Sequence, residues 1–397
     1  VAPNEISYSA AISACEKGGQ WQLAVELLAR MPAASLVPDC ISYSAAISAL
    51  EKGSQWQLAL GLLWTMSAVR AAPNAVSYNS AVSACERDGQ WQQALGVIAA
   101  MEDGRLEANG IAWGSVLSGM ARGGHSTCMP AWLEHLRGRW ADSSTTAPEV
   151  RRLDGGRSVG GEQHSLSQAR VVLQSGGVVA LFKPPGVTTE SLRDHLSASL
   201  AANGQASDVT VASRLDAQTS GVVPFALGSD RSGAAQWLWV QFAARQIRKE
   251  YLCLCAGQSL GPAGAEGVLD SPLQYDGLRA APSAAGKEAR TRYRVLEALP
   301  WPEHGGELML LQVSPLTGRM HQIRAHLAGI GRPTVGDLAY GGIGSAGGVR
   351  FERLFLHCRK LSLLDLAGAP FEPEAALPDD LLDVLTSLRQ RVPARES

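Results

Sequence analysis

The feature that most constrains this chain is a 35-residue internal repeat in its first third. The segment Ile6–Ala14 recurs at Ile41–Ala49 and, with Val76 and Asn79 as variations, at Val76–Ala84. Tyr8, Tyr43, Tyr78 and Trp113 are 35 residues apart, as are Trp21, Trp56 and Trp91. Each unit reads as a helical hairpin. Ile6, Ala10 and Ser13 lie at helical spacing in a first helix that a Gly-containing turn, Lys17-Gly18-Gly19, ends. Leu23, Leu27 and Met31 share one face of a second helix, and Pro3, Pro38 and Pro73 precede each new unit. A single hairpin cannot bury its apolar stripe, so the units must stack into a solenoid. The repeated Trp are most economically inter-helix packing residues; base-stacking surfaces are the other reading. A fourth unit is degenerate, with Gly114 at an altered position, Ala108 in place of the Pro and Pro130 interrupting the second helix, and reads as a terminal cap.

Composition bounds the rest. A length of 397 residues suggests two or three domains. With 46% apolar and 18% charged residues the chain is globular, and no run reaches the ~18 apolar residues of a spanning helix, so no membrane partner is expected. Seven scattered Cys do not form a disulfide framework and point to a reducing compartment. The net charge of −2 hides an uneven distribution. Residues 1–140 carry 9 basic and 11 acidic groups, residues 361–397 carry 3 and 7, and residues 141–360 carry 23 and 19. The middle stretch therefore offers a basic footprint that the total conceals. A start at Val1, inside a repeat and without a signal-like segment, leads us to expect a processed protein or a fragment that lacks earlier units.

The expected organisation is a repeat region at 1–140, a Ser/Thr/Gly-rich flexible linker at 141–168, an α+β domain at 169–366 and an acidic tail at 367–397. Strands are expected at 170–174, 178–182, 222–227, 251–255, 291–296 and 308–313. Helices are expected at 191–202, 231–246 and 318–330, the last with a core stripe of Met320, Ile323, Leu327 and Ile330. The fold class is thus multidomain: an all-α solenoid, then an α+β domain. The Ala/Gly-rich stretch from Gly257 to Lys287 reads as an enlarged loop. His321 and His326 are five residues apart, a poor metal pair, and Cys253 with Cys255 read as buried thiols, so no metal site is expected.

The repeat period, with its Pro-Asp/Asn and Ser-Tyr-Asn/Ser signature, resembles pentatricopeptide repeats, which bind single-stranded RNA. That resemblance implies one base read per unit by two side chains: Ser9 with Asp39, Ser44 with Asn74, and Asn79 with Asn109. A G-A-pyrimidine preference is the corresponding expectation.

In the second domain four segments stand out: Ser213-Arg214-Leu215-Asp216 through Thr219-Ser220-Gly221, Lys249-Glu250-Tyr251, Thr317-Gly318-Arg319-Met320-His321-Gln322-Ile323-Arg324, and Gly336-Asp337 through Tyr340-Gly341. Singly, each has a structural reading as a cap, an edge tyrosine, a solvated helix flank or a turn. Together and in this order, with Lys183-Pro184-Pro185-Gly186 and Leu356-His357-Cys358, they resemble the RluA-type RNA pseudouridine synthases, over roughly 169–366. The resemblance implies a mixed, mainly antiparallel sheet and isomerisation of uridine to pseudouridine in ribosomal or transfer RNA, without cofactor. It implies Asp216 as the carboxylate acting at the sugar, Tyr251 as the aromatic group and proton acceptor beneath the base, and Arg324 as the partner that keeps Asp216 ionised. Arg214, Lys249, Arg319, His321 and Gln322 are the expected RNA contacts of this domain. Ser213 stands where the family commonly has His, and altered RNA contact is expected from it. The alternative is an inactive RNA-binding protein or RNA chaperone; a protein-interaction scaffold is a third reading of the repeats. A monomer is expected, in a mitochondrion or chloroplast by analogy with such repeats, otherwise in the cytoplasm.

Overall fold

The computed structural model describes residues 3–69, 71–141, 148–150, 153, 166–301 and 306–391. The chain forms two compact units, Val1–Arg139 with Gln236–Ala244, and Trp140–Ala235 with Arg245–Ser397.

The first unit is built on successive helices: α1 (Glu5–Lys17), α2 (Trp21–Ala33), α3 (Cys40–Lys52), α4 (Trp56–Ala68), α5 (Ala75–Arg87), α6 (Trp91–Asp103), α7 (Gly110–Arg122) and α8 (Met129–Ala141). The first helix of each hairpin starts at a side-chain cap. Asn4, Asp39, Asn74 and Asn109 each accept a hydrogen bond from the backbone N–H three residues on, so the cap repeats with the period. The buried stripes differ in register from the expected ones. In α2, Ala24, Leu28 and Met31 face inward while Leu23 is 44% exposed. The same register holds for Ala59, Leu63 and Met66 in α4 and for Ala94, Ile98 and Met101 in α6. A small Ala at the first contact lets the neighbouring backbone approach, which a Leu there would prevent. In α1 the inward residues are Ile12 and Cys15, and Ile6 is 76% exposed. The tryptophans pack between consecutive hairpins: a Cβ at Gly53 would run into the Trp21 indole, and Trp91 lies beside Gly119 with its ring 5.4 Å from that of His125. Glu16–Lys52, Glu51–Arg87 and Glu86–Arg122 form a ladder of ion pairs from unit to unit at 2.9, 3.3 and 3.1 Å.

The second unit is organised by one large sheet. Its strands are β1 (Arg170–Ser175), β2 (Val178–Lys183), β3 (Val209–Val211), β4 (Ser220–Leu227), β5 (Arg248–Gly257), β6 (Glu266–Leu269), β9 (Thr291–Trp301), β10 (Gly306–Pro315), β13 (Leu356–Leu364) and β14 (Pro370–Phe371). Two small hairpins, β7 (Leu273–Tyr275) with β8 (Ala280–Pro282) and β11 (Ser345–Ala346) with β12 (Val349–Arg350), stand apart from it. Its helices are α9 (Thr189–Ala202), α11 (Gln322–Gly329) and α12 (Asp379–Arg391), whereas α10 (Gly233–Ala243) falls mostly in the segment that belongs to the first unit. The main path runs β1-β2-β4-β13-β5-β10-β9-β6, with β3 on β4 and β14 on β13. Only β4 and β13 of the described pairs run parallel, so the sheet is mixed and mainly antiparallel, as expected. Gly221 sits at that junction with φ +128°, and a Cβ there would collide with the Cys358 backbone.

Four expectations need correction. The stretch 257–287 is not one loop: it holds the edge strand β6 and the β7–β8 hairpin. The helix expected at 318–330 is shortened to Gln322–Gly329, because His321 takes the left-handed conformation (φ 52°). That turn exposes Met320 and Ile330, and the inward face is Gln322, Ile323, Ala325, His326 and Leu327. Most of the linker at 141–168 lies outside the described residues. Pro148–Val150, however, is fastened to the sheet: Gln174 accepts from the Val150 N–H at 2.8 Å and donates to the Pro148 carbonyl at 2.6 Å, and Val150 joins the core beside Val179 and Phe225. The segment read as an acidic tail carries β14 and α12, whose Leu381, Leu385 and Leu388 enter the core formed by Leu254, Leu308 and Phe355.

Truncating Leu385 to Ala should therefore destabilise the second unit by about 2–5 kcal/mol. Chemical denaturation checks this; a change within about 0.5 kcal/mol is what an unpacked tail would give.

Candidate active site

Asp216 lies in the loop that leads into β4, and backbone contacts hold that loop on both sides. The Leu215 N–H donates to Thr189 Oγ1 at 3.1 Å, the Gly186 N–H donates to the Ala217 carbonyl at 2.9 Å, and the Thr219 N–H donates to the Asp216 carbonyl at 3.0 Å. Lys183, fully buried, donates from Nζ to the carbonyls of Pro184, Val187 and Ala217. Burial pulls its ammonium down to about 7, and the Asp216 charge acts against that pull. The sequence offered Lys183 only as part of a short motif; its role in bracing the Asp216 loop was not visible there.

Arg324 projects from the first turn of α11. Its Nε and Nη2 donate to the two carboxylate oxygens of Asp337 at 2.7 Å each, and Nη1 reaches Asp216 Oδ2 at 3.3 Å. The guanidinium lies over the Tyr340 ring at 4.7 Å. Side-chain exposure is 12% for Arg324 and 2% for Asp337, so this pair is nearly dry. Burial works against the Arg324 charge, but the Asp337 hydrogen bonds and charge, followed by Asp216, hold its pKa above the ordinary value. The expected Asp216–Arg324 pairing is therefore present, but Asp337 is the stronger partner. Sequence reading took Gly336-Asp337 for a turn. The signal was the Gly: it has φ +73°, and a Cβ there would strike the Arg353 carbonyl. That backbone aims the Asp337 carboxylate back at α11.

Tyr251, on β5, is paired across the sheet with Val313 and Cys358 and is buried. Burial first, then Cys358 and the Asp216 charge, push its phenol well above its usual range. A phenol so placed stays protonated, so it offers an aromatic face and an O–H far more readily than a phenolate base.

The remaining expected contacts divide. Gln322 is not an RNA contact: it is buried, its Oε1 accepts from Thr317 Oγ1 at 2.7 Å and the Arg319 N–H at 3.0 Å, and its Nε2 donates to the Arg290 carbonyl and Thr291 Oγ1 at 2.9 Å each. Those bonds fasten the α11 entry to β9. His321 turns toward the site, its Nε2 3.9 Å from Asp216 Oδ1 and its Nδ1 3.0 Å from the Tyr340 hydroxyl. Arg319 donates from Nε to the Glu288 carbonyl at 2.9 Å. Lys249 donates to Ser213 Oγ, so the residue in the usual His position serves as a lysine's partner. Burial lowers the Lys249 pKa, and Cys358 acts against it. Arg214 is exposed beside Glu190 at 3.5 Å.

In the repeats, capping accounts for Asp39, Asn74 and Asn109, whose Oδ1 atoms accept from Ser42, Ser77 and Ala112. Ser9 and Ser44 hydrogen-bond Ser42 and Ser77 of the next hairpin at 2.8 Å each. Asn79 differs: its Oδ1 is buried with no hydrogen-bond partner among the described residues. No group of three His, Cys, Asp or Glu suited to a metal occurs among the described residues, and no described helix is long and apolar enough to cross a membrane.

On β13, His357 is buried between the Ser220 hydroxyl, 3.0 Å from Nδ1, and the Ala375 carbonyl, 3.1 Å from Nε2. Burial pulls it down to about 4.

Comparison with known proteins adds the following. A family model described as RNA pseudouridylate synthase matches residues 177–329, and one described as PPR repeat matches 6–35 and 76–106. An uncharacterized RNA pseudouridine synthase of Chloroflexus aurantiacus is 38% identical over 182 residues, covering 45% of this chain and 53% of that protein. The tRNA pseudouridine synthase C of Salmonella typhi is 30% identical over 250 residues, covering 56% of this chain and 90% of that protein. The solved structure of human RNA Pseudouridylate Synthase Domain Containing 4 aligns with a TM-score of 0.44 at 23% identity, covering 55% of this chain and 92% of that one. Of several other curated relatives the chain spans only about half the length.

Two outcomes are expected from this geometry. Asp337→Ala leaves Arg324 nearly dry and without its bidentate partner, and should cost roughly 3–5 kcal/mol; adding Arg324→Met should recover part of that loss. Denaturation of the single and double variants decides it, and a single variant as stable as the parent refutes the pairing's weight. For His357 the unfolded ring, near 6.5, binds more protons than the folded one between pH 6.5 and about 4, so stability is lost as pH falls through that window. His357→Gln should remove about 2 kcal/mol of the stability difference between about pH 7 and pH 5; equal pH slopes for parent and variant would contradict the assignment.

Proposed function

Because the chain belongs to the RNA pseudouridylate synthase family, we propose that it isomerises uridine to pseudouridine in structured RNA. The observation that carries this reading is the Asp216 carboxylate gripped by an arginine that Asp337 itself holds at two points. The reaction breaks the N1–C1′ bond, turns the base and rejoins it through C5; the C5 proton is released to water and N1 takes up a proton in its place. Asp216 acts at the sugar. The Arg324 guanidinium aims the carboxylate through its Nη1 contact at 3.3 Å. Tyr251 offers a stacking face that the sheet fixes from both sides. The target base must leave the RNA stack to reach them. Arg214 and Arg319 supply positive charge on the surface near the site's loops.

The repeats, on this reading, hold single-stranded RNA that the same chain modifies. Asn79 supports it, because a buried, unpartnered amide oxygen is costly unless a ligand satisfies it. The finer points are part of the proposal: ribosomal or transfer RNA as the target, a G-A-pyrimidine preference, a monomer, and work in a mitochondrion or chloroplast.

The test is tritium release. Transcripts of ribosomal and transfer RNA made with 5-tritiated uridine should lose label to water when treated with the full chain, and Asp216→Ala should reduce release to background. RNA that is bound but never loses tritium would instead identify an inactive RNA-binding protein.

A further inference from the structure

His321 has a geometry that neither helix capping nor core packing demands. It is held at φ 52°, a conformation uncommon outside Gly, and it makes no side-chain cap to α11. The turn brings its ring edge-on to Tyr340 and Tyr275, with Nδ1 3.0 Å from the Tyr340 hydroxyl. That hydroxyl already accepts from the Ala280 N–H at 2.8 Å. The hydroxyl still has its own proton to direct at Nδ1, an arrangement that puts the imidazole proton on Nε2. Nε2 faces Asp216 Oδ1 at 3.9 Å. This is too long for a hydrogen bond, but an oxygen set beside the gap, about 2.8 Å from each atom, could bridge the two. The other carboxylate oxygen, Oδ2, is taken by Arg324. Charges facing the ring from its neighbours are Asp216, Arg324 and Asp337; burial lowers its pKa, Asp216 opposes that, Arg324 assists it and Asp337 opposes it, so the ring is neutral at neutral pH.

We propose that His321 Nε2–H and Asp216 Oδ1 together grip one substrate hydroxyl, the 2′-hydroxyl of the target ribose, with Tyr340 presetting the imidazole. A hydroxyl can accept from one neighbour and donate to the other, as this pair requires. The identity of the hydroxyl rests on the isomerase reading: a carboxylate working at C1′ has the 2′-oxygen on the adjacent carbon. His321 is thus a specificity residue that distinguishes RNA from DNA at the reacting nucleotide.

Binding measurements test this without turnover. The probe is an oligonucleotide around a uridine that the tritium assay shows to be converted, with ribose or 2′-deoxyribose at that one nucleotide. It is bound to Asp216→Asn, which retains an oxygen acceptor, and to Asp216→Asn with His321→Asn, since Asn tolerates the left-handed backbone. The deoxy probe should bind about tenfold more weakly to the first protein and nearly as well as the ribose probe to the second. An equal penalty in both proteins overturns the proposal. Nitrogen-15 spectra of the histidine-labelled full chain give an independent reading, with the His321 signals assigned from His321→Asn. A neutral ring protonated on Nε2, redistributed in Tyr340→Phe, is expected; a proton resident on Nδ1 or an imidazolium at neutral pH overturns it. If no RNA releases tritium, the isomerase reading fails by itself, while the tautomer is still decided by the spectra.

Discussion

The second unit depends on a single guanidinium placed between two carboxylates. Arg324 must lose most of its hydration to sit on α11 over the Tyr340 ring. An isolated charge in such a place would be prohibitive. Asp337 makes it tolerable by matching the guanidinium fork with both oxygens, which leaves one N–H pair directed at Asp216. The geometry of Asp216 is thereby inherited from the 336–341 turn, which in turn depends on a glycine that has no room for a Cβ. A lysine could supply charge at position 324, but not the planar fork that divides two partners.

This dependence explains how much could be read in advance. The residue types of the site were legible because Asp216, Tyr251 and Arg324 each lie in a distinctive local segment, and the sheet was legible because its central strands are short apolar runs. What failed were features decided by tertiary contact. Gln322 looks like a polar residue on a solvated flank, yet four hydrogen bonds to β9 and the 317–319 turn consume it. The α12 segment is rich in Asp and Arg, and its acidic count obscured a three-leucine stripe. His321 breaks a helical period that is otherwise continuous in sequence, because the backbone spends one residue in a left-handed turn to face the site.

The repeats show the opposite balance. Their period, hairpin order and Trp packing follow from spacing alone, because each unit contacts copies of itself. The register of the inward stripe did not follow. Counting large apolar residues favours Leu23, whereas close helix approach favours the Ala beside it. Nor does the period separate recognition from folding. Asp39, Asn74 and Asn109 occupy positions where capping alone would select them. The ion-pair ladder likewise takes up Lys52, Arg87 and Arg122. A surface that is acidic on balance and spends its cations internally has little charge with which to attract a phosphate backbone, so any RNA affinity there must come from base contacts at positions such as Asn79.

The electrostatics of the site also divide the chemical labour. Removing a proton with Tyr251 would require a phenolate beside Asp216 in a buried strand, and burial, Cys358 and Asp216 all oppose that charge. The same surroundings suit a neutral ring that supports a flat base without competing for its protons. Asp216 has different neighbours: Arg324 pairs with its Oδ2 at 3.3 Å, and burial lowers the pKa of the His321 ring beside it. A neutral imidazole can share a substrate hydroxyl with Oδ1, whereas an imidazolium at the same distance would draw Oδ1 into an ion pair. Keeping His321 neutral is therefore as much a requirement of the site as keeping Arg324 charged, and Tyr340 touches both residues, its hydroxyl 3.0 Å from the imidazole Nδ1 and its ring under the guanidinium.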